Sequence, residues 1–310
     1  MSVVVIIPYF NESESILTTL KSIDQQTLQP KNVMLVDSGS TDTSFDLVKE
    51  WIKDNKKSNF QNIFSGKMSP SSSINNAIHK SSEEIIAYVD CGLDIPNNWL
   101  ETSLYEMEMN SADMVSLKIY TTGVNTIDQS FIAQTYGYKK NQICLPGSLI
   151  KRKVFSKTGL FIEKVRASYD IDFINKFLNY NYKRILNTNI CLKYIDTNYA
   201  SSFFYGAKKV FSYSLDAWHA KGDYKPYIYL LIFALIILNM FNNFFSLLQL
   251  ISFYILIRTF FIPLYKSVES KELIKSFRII YLFYAGFIID ISRLLGYMKS
   301  FSKHIIQLRQ

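Results

Sequence analysis

Between Pro226 and Tyr265 the chain runs for 40 residues with a single charged side chain, Arg258. One helical crossing of a bilayer needs about 20 apolar residues. The run therefore predicts two short transmembrane helices over 226–265, joined by a tight turn at Asn239, Asn242 and Asn243. A buried core hairpin is the alternative, but a soluble domain of 200 residues has no need of so long an apolar appendage. Both flanks are basic, with Lys208, Lys209, Lys221 and Lys225 before the run and Lys266, Lys271, Lys275 and Arg278 after it. The positive-inside rule places both ends in the cytosol. Residues 201–310 hold 13 basic and 5 acidic side chains, whereas residues 1–200 hold 21 of each, so the whole net charge of +8 sits beside the apolar run. That pairing points to membrane lipids as partners. Nucleic acid is excluded, since it would need basic residues spread over a folded face.

Two neighbouring segments extend this reading. Residues 201–225 mix Phe203, Phe204, Tyr205, Phe211 and Trp218 with lysines, which suits an amphipathic juxtamembrane helix at headgroup level. Residues 277–298 carry an apolar stripe (Phe277, Ile280, Tyr284, Phe287, Ile291, Leu294, Met298), but the longest uncharged stretch, Ile279–Ile289, has only 11 residues. An interfacial or re-entrant helix is expected there rather than a third membrane crossing, which would export the basic tail of Lys299, Lys303 and Arg309.

The first 200 residues have another character. Hydrophobic residues make up 48% of the chain and charged ones 19%, which excludes a disordered protein. Cys91, Cys144 and Cys191 have neither disulfide nor zinc spacing and fit a reducing compartment. The opening MSVVVIIPYF lacks the basic region of a signal peptide, so these residues are expected in the cytosol. Val3–Ile7 reads as a buried strand, followed by Asn11 and Glu14 at capping-box spacing ahead of Ile16, Leu17, Leu20 and Ile23 at helical period. Val33–Val36 is a second strand. The turn Asp37–Asp42 ends as a cap for a helix carrying Phe45, Val48, Trp51 and Ile52. Ser69–Lys80 reads as a helix and Ile85–Val89 as a strand. Such alternation predicts an α/β fold with a mostly parallel sheet, whose ligands bind at the carboxyl ends of the strands. Asp37 and Asp90 both stand there.

Four segments now carry a resemblance: VVVIIPYFNESESILTTLKSIDQQT, VDSGSTD, IIAYVDCGLDIPNNWL and YDIDF. In order and spacing, residues 1–200 resemble the family 2 glycosyltransferases. The resemblance implies a GT-A (Rossmann-like) catalytic domain over 1–200 that transfers a sugar, with inversion, from a nucleotide-sugar donor, a UDP-sugar in the first instance. The appended membrane segments resemble members that act on a polyprenyl-diphosphate-linked saccharide acceptor at the cytosolic face of the inner membrane, in surface polysaccharide assembly. Transfer to polyprenyl phosphate itself, giving a lipid-linked sugar donor, is an alternative. A catalytically inactive scaffold of an assembly complex is another. No Gln-x-x-Arg-Trp motif is present, which argues against a processive synthase.

Each segment has a chemical reading beside the family one. A nucleotide base needs a flat apolar surface, which Pro8 and Tyr9 can form, and an acceptor for its imide N–H, the role the resemblance gives Asp37. It also puts Asn11, Glu12, Gly39 and Asp42 in that pocket and Asn75 near the donor, while Ile74 replaces the usual adjacent Arg. For Asp37 and Asp42 the competing reading is helix capping. The leaving diphosphate calls for a hard cation, Mg2+ or Mn2+. The family's Asp-x-Asp is here Asp90-Cys91-Gly92, so Asp90 acts alone or with Asp94, itself equally a solvated loop residue. Asp90 can instead contact the donor ribose, and Cys91 reads as a small buried residue. Inverting transfer needs one general base. The resemblance gives that role to Asp170, with Tyr169 where relatives carry an acid; Asp172 is the neighbouring alternative, and a helix start attracting acids is the plain one. Lys151 and Arg152 are expected either to touch a diphosphate or to be an ordinary solvated pair.

Overall fold

The computed structural model describes all residues except 138–144, 198, 220–222, 241–243, 267, 269–277 and 309–310. Cys144, Asn242, Asn243 and Phe277 thus lie outside the described residues. Two compact units emerge: residues 1–120 with 141–195, and residues 121–140 with 196–310.

In the first unit the chain alternates as expected: β1 (Val3–Tyr9), α1 (Ile16–Asp24), β2 (Asn32–Asp37), α2 (Ser44–Asp54), β3 (Phe60–Phe64), α3 (Pro70–Lys80), β4 (Ile85–Tyr88), β5 (Leu93–Asp94) and α4 (Trp99–Met109). There follow β6 (Met114–Gly123), β7 (Leu149–Lys151), α6 (Arg152–Thr158), α7 (Tyr169–Asn179) and β8 (Arg184–Thr197), while α5 (Thr126–Gln134), between β6 and β7 in the chain, belongs to the second unit. The eight strands form one sheet in the order β3-β2-β1-β4-β7-β6-β8-β5. Strands β3, β2, β1 and β4 are parallel, and β7 pairs antiparallel with β4 and β6. The unbroken apolar sequence of β1 is explained by burial on both sides. Val3, Val5 and Ile7 pack with Leu20, Ile23, Val48 and Trp99, while Val4 and Ile6 pack with Ile74, Ile78, Phe173 and Phe177. A strand covered by helices on both faces reads as a continuous hydrophobic run.

One local expectation is corrected. Asn11 does not cap α1; its backbone has φ +55° and its side-chain oxygen accepts from the Thr41 N–H at 2.8 Å. The first turn of α1 is closed instead by the Glu12 carbonyl, which accepts from the N–H groups of Ser15 and Ile16.

The second unit is helical: α5, α8 (Phe203–Ser214), α9 (Lys225–Met240), α10 (Phe244–Leu256), a π-helical turn (Ile257–Phe261), α11 (Ile262–Tyr265) and α12 (Arg278–Leu308). Leu248–Tyr265 and Arg278–Phe301 are each long and apolar enough to cross a membrane, and Lys225–Leu238 is a shorter apolar helix. The short segment expected to end at 298 is thus part of a continuous helix of 31 residues. Most of its apolar stripe faces outward: Ile280, Tyr284, Phe287, Ile291 and Met298 are exposed, while Leu282, Ala285, Ile289 and Ser292 are buried. At Gly296 a Cβ would lie 2.6 Å from that of Ser214 on α8, so only glycine fits there. On α8, Phe204 and Tyr205 are exposed and Gly206 and Val210 buried, an amphipathic arrangement.

Arg258, the single charge of the long apolar run, is buried and meets Asp290 of α12. Its Nε donates to one carboxylate oxygen at 2.6 Å and Nη2 to the other. The hydroxyls of Tyr254 and Tyr229 donate to the same carboxylate, and Arg258 Nη1 donates to Gln134 of α5 at 3.1 Å. Removing one partner of a buried pair leaves an uncompensated charge and costs about 3–5 kcal/mol. Arg258→Met should therefore lower the unfolding midpoint in detergent markedly, and Arg258→Met with Asp290→Leu should recover most of the loss. A single variant as stable as the native protein would show that the pair contributes nothing.

Candidate active site

The carboxyl ends of β1, β2 and β4 lie side by side, because Tyr9 is in register with Asp37 and Ile6 with Tyr88. Asp37 ends β2 fully buried, its carboxylate accepting the Ser40 N–H at 3.0 and 3.3 Å. The turn that follows is locked to the end of β1. Asn11 N–H donates to Ser40 Oγ, Glu12 N–H to Ser44 Oγ, and Ser13 N–H to Asp42. Gly39, at φ +88°, sits where a Cβ would be 3.1 Å from the backbone of Gly66 and Lys67. Asp42 is exposed and accepts from the Ser44 N–H and hydroxyl, one residue ahead of Thr43, the N-cap of α2. Its slight burial pushes its pKa upward, but the bonds from Ser44 and Ser13 prevail and hold it below the usual range.

Pro8 and Tyr9 do not offer the expected flat surface. Both are buried, and the Tyr9 hydroxyl donates to Asn62 Oδ1 at 2.7 Å. Burial, then the charge of Asp37, raises the Tyr9 phenol further from ionisation. The exposed aromatic rings near these strand ends are Phe10 and Phe64, half and nearly two-thirds exposed; the in-register partner of Asp37 on β3 is Phe64.

Asp90 follows β4 and is enclosed by phenols. Tyr88 donates to Oδ1, and Tyr194 of β8 donates to Oδ2 at 2.6 Å. Burial raises the Asp90 carboxyl above its ordinary pKa, the two tyrosine bonds oppose that rise, and the charge of Asp170 adds to it. Asp170 is thus electrostatically within reach of Asp90. Next to it, Tyr169 brings its hydroxyl within 3.2 Å of that of Tyr88. Asp172 points elsewhere: it is buried and pairs with Lys176 at 2.6 Å, as two helical residues two apart must diverge. Gly92 has φ +81° and its N–H donates to Thr19 Oγ1. The left-handed backbone favours glycine at the position of the second carboxylate of the usual motif. Asp94, in β5, is exposed and in register with Lys193. Cys91 is mostly buried, against Ser15 and Thr19, and burial pushes its thiol up to about 12. Among the described residues no three His, Cys, Asp or Glu side chains come together.

The remaining candidates separate. Asn75 is buried and fully used: Oδ1 accepts from the Phe161 N–H at 3.1 Å, and Nδ2 donates to the Phe161 carbonyl at 2.9 Å. Ile74 beside it is fully buried. Near the N-terminus of α3 a cleft of about 740 Å³ is lined by Lys67, Ser69, Ser72 and Lys164 among others. A diphosphate contact from Lys151 or Arg152 is ruled out by position. Lys151 is in register with Ile85 at the start of β4, the end remote from Asp90, and Arg152 donates to Glu83 O, Ile78 O and Ser81 Oγ. Sequence reasoning missed Tyr88 and Tyr194. Tyr88 stands two positions before Asp90 on a strand and therefore on its face, a readable signal; Tyr194, 104 residues later, gave none.

The model of the family described as glycosyl transferase family 2 matches residues 4–164. The chain belongs to that family. It is similar to a cholesterol galactosyltransferase of Borreliella burgdorferi, 29% identical over 117 residues, or 37% of this chain and 32% of that protein. It is also similar to the glycosyltransferase AglE of Haloferax volcanii, 27% identical over 173 residues, or 52% of each chain. The chain thus spans a third to a half of the length of these relatives. Among solved structures, the mannosyltransferase PcManGT of Pyrobaculum calidifontis, in complex with GDP-Man and Mn2+, superposes with a TM-score of 0.58 at 16% identity, covering 94% of this chain and 86% of that one. S. aureus TarS 1-349 in complex with UDP gives 0.51 at 18% identity, covering 98% and 92%. At these identities the likeness establishes the fold, GT-A.

Asn75 makes a prediction independent of catalysis. Asn75→Ala leaves the buried Phe161 N–H and carbonyl without their partner, at a cost of about 1–3 kcal/mol. The midpoint of denaturant unfolding should fall accordingly; an unchanged midpoint would remove Asn75 from the framework of this unit.

Proposed function

We propose that the chain transfers a sugar from a nucleotide-sugar, a UDP-sugar in the first instance, to a polyprenyl-diphosphate-linked saccharide, with inversion, at the cytosolic face of the inner membrane, for surface polysaccharide assembly. The observation that carries the reading is the placing of Asp37 and Asp90 at the carboxyl ends of β2 and β4, the two parallel strands that flank β1, with Tyr169, the neighbour of Asp170, 3.2 Å from the hydroxyl of Tyr88, which bonds Asp90. Family membership, the UDP bound to TarS and the GDP-Man bound to PcManGT support the donor class.

In this reading Asp37 accepts the imide N–H of the base, which requires the Gly39–Asp42 turn to shift because Asp37 is enclosed. Asn11, Glu12, Gly39 and Asp42 line the pocket, and Asn75 acts through the Phe161 segment it holds. Asp170 takes the proton of the acceptor hydroxyl as that oxygen attacks the anomeric carbon and the nucleoside diphosphate leaves. The donor set is hard oxygen, and Mg2+ is commonly held by one or two carboxylates with substrate phosphates and water, so one partly exposed carboxylate fits the group. Asp90, with Asp94 completing the shell, would hold Mg2+ or Mn2+, which when bound neutralises charge developing on the diphosphate.

Asp170→Asn should abolish transfer, since loss of a general base typically costs about 10²–10⁴ in rate, while donor binding survives. Asp37→Asn should bind donor more weakly and recover much of its rate at saturating donor. Turnover measured against donor concentration separates them. Retention of more than about a tenth of native turnover by Asp170→Asn would lie outside the range for a lost base and reject that role.

The membrane part rests on the two long apolar helices and the exposed stripe of α12. The full chain should stay with anionic vesicles through a high-salt wash. Release by salt alone would reduce the attachment to surface electrostatics.

A further inference from the structure

Asp90 is the one carboxylate left of the usual pair, yet both its oxygens are already engaged. Tyr88 donates to Oδ1 and Tyr194 to Oδ2. A carboxylate oxygen has about two lone-pair sites, so each oxygen keeps one free and the plane of the group is fixed by the two phenols. The phenols are themselves held. Tyr88 is 2% exposed, between β4 neighbours, and its oxygen is 3.2 Å from that of Tyr169 in the first turn of α7. Tyr194 lies in β8, paired in register with Leu93 of β5, so the strand that follows Asp90 also sets the position of its second partner. In a site with two carboxylates the ion itself would align them. Here Gly92, held in a left-handed turn, contributes no side chain to that alignment.

We propose that Tyr88 and Tyr194 are positioning residues that orient the Asp90 carboxylate for a divalent cation carried by a nucleoside diphosphate, doing by hydrogen bonds what the missing second carboxylate does by ligation. The proposal rests on the donor reading above and assigns this chain two residues outside the Asp-x-Asp motif. Partners that orient a metal-binding carboxylate are typically worth about 10–100-fold in metal affinity.

The test uses the full chain in detergent, with UDP as probe, titrated calorimetrically in Mn2+ and in excess EDTA. The native protein should bind UDP more tightly in Mn2+. Tyr194→Phe and Tyr88→Phe, which keep the buried rings, should lose about 10–100-fold of the Mn2+-dependent gain, leave affinity in EDTA unchanged, and regain native affinity as Mn2+ is raised. A purely structural role would lower the unfolding midpoint and weaken UDP equally with and without Mn2+, and that result overturns the proposal. So does a full Mn2+ gain in both variants, which leaves the donor reading intact. If the native protein binds UDP equally in Mn2+ and EDTA, the cation is not held at Asp90, and the proposal falls while nucleotide binding stands. If it binds no UDP in either condition, the UDP reading falls and the proposal with it.

Discussion

Strand β1 has no face open to solvent, and the first unit is built outward from that condition. Its odd residues are buried under α1, α2 and α4, its even ones under α3, α6 and α7. Burying a Val or Ile side chain contributes about 1.5–3 kcal/mol, and β1 does so along its whole length. A strand enclosed this way must take its hydrogen bonds from strands on both edges, here β2 and β4. The consequence is chemical: where these three strands end, Asp37 and Asp90 come to the same edge of the sheet on either side of β1, a placement that no local sequence preference would give.

Much of that was legible in the chain. The β-branched runs at Val3, Val33 and Ile85 marked the parallel strands, and Ser69 before Pro70 marked the start of α3, where its hydroxyl accepts the Ser72 N–H. What the sequence did not disclose were long-range polar partners. Asn11 has ideal spacing for a cap yet bonds to Thr41, because the turn after β2 offers an N–H already fixed by tertiary structure. Arg152 looked like a solvated cation and instead holds three acceptors around the end of α3. Tyr9 looked like a platform and serves as a buried strut to Asn62. In each case the residue type was right for several roles, and packing chose among them.

Gly92 is required by a left-handed turn whose N–H is held by Thr19. Tyr169 stands where relatives carry an acid, and its hydroxyl reaches Tyr88 rather than leaving a second carboxylate beside Asp170. Two phenols thus meet Asp90 and a third, Tyr169, adjoins them where relatives carry an acid, which lowers the local negative charge. Such a neighbourhood avoids the repulsion that three enclosed carboxylates would suffer.

Arg258 and Asp290 are separated by 32 residues, and that separation sets an order of events during synthesis. When the polypeptide emerges, Arg258 is out before its counter-ion is. A lone guanidinium is costly in an apolar setting, so α10 and its π-helical turn have no settled resting place at that stage. They acquire one only when α12 arrives with Asp290. Helix α12 is therefore the one that lets the earlier segment around Arg258 settle, and a ribosome stalled before Asp290 would leave that guanidinium without the carboxylate it closes around.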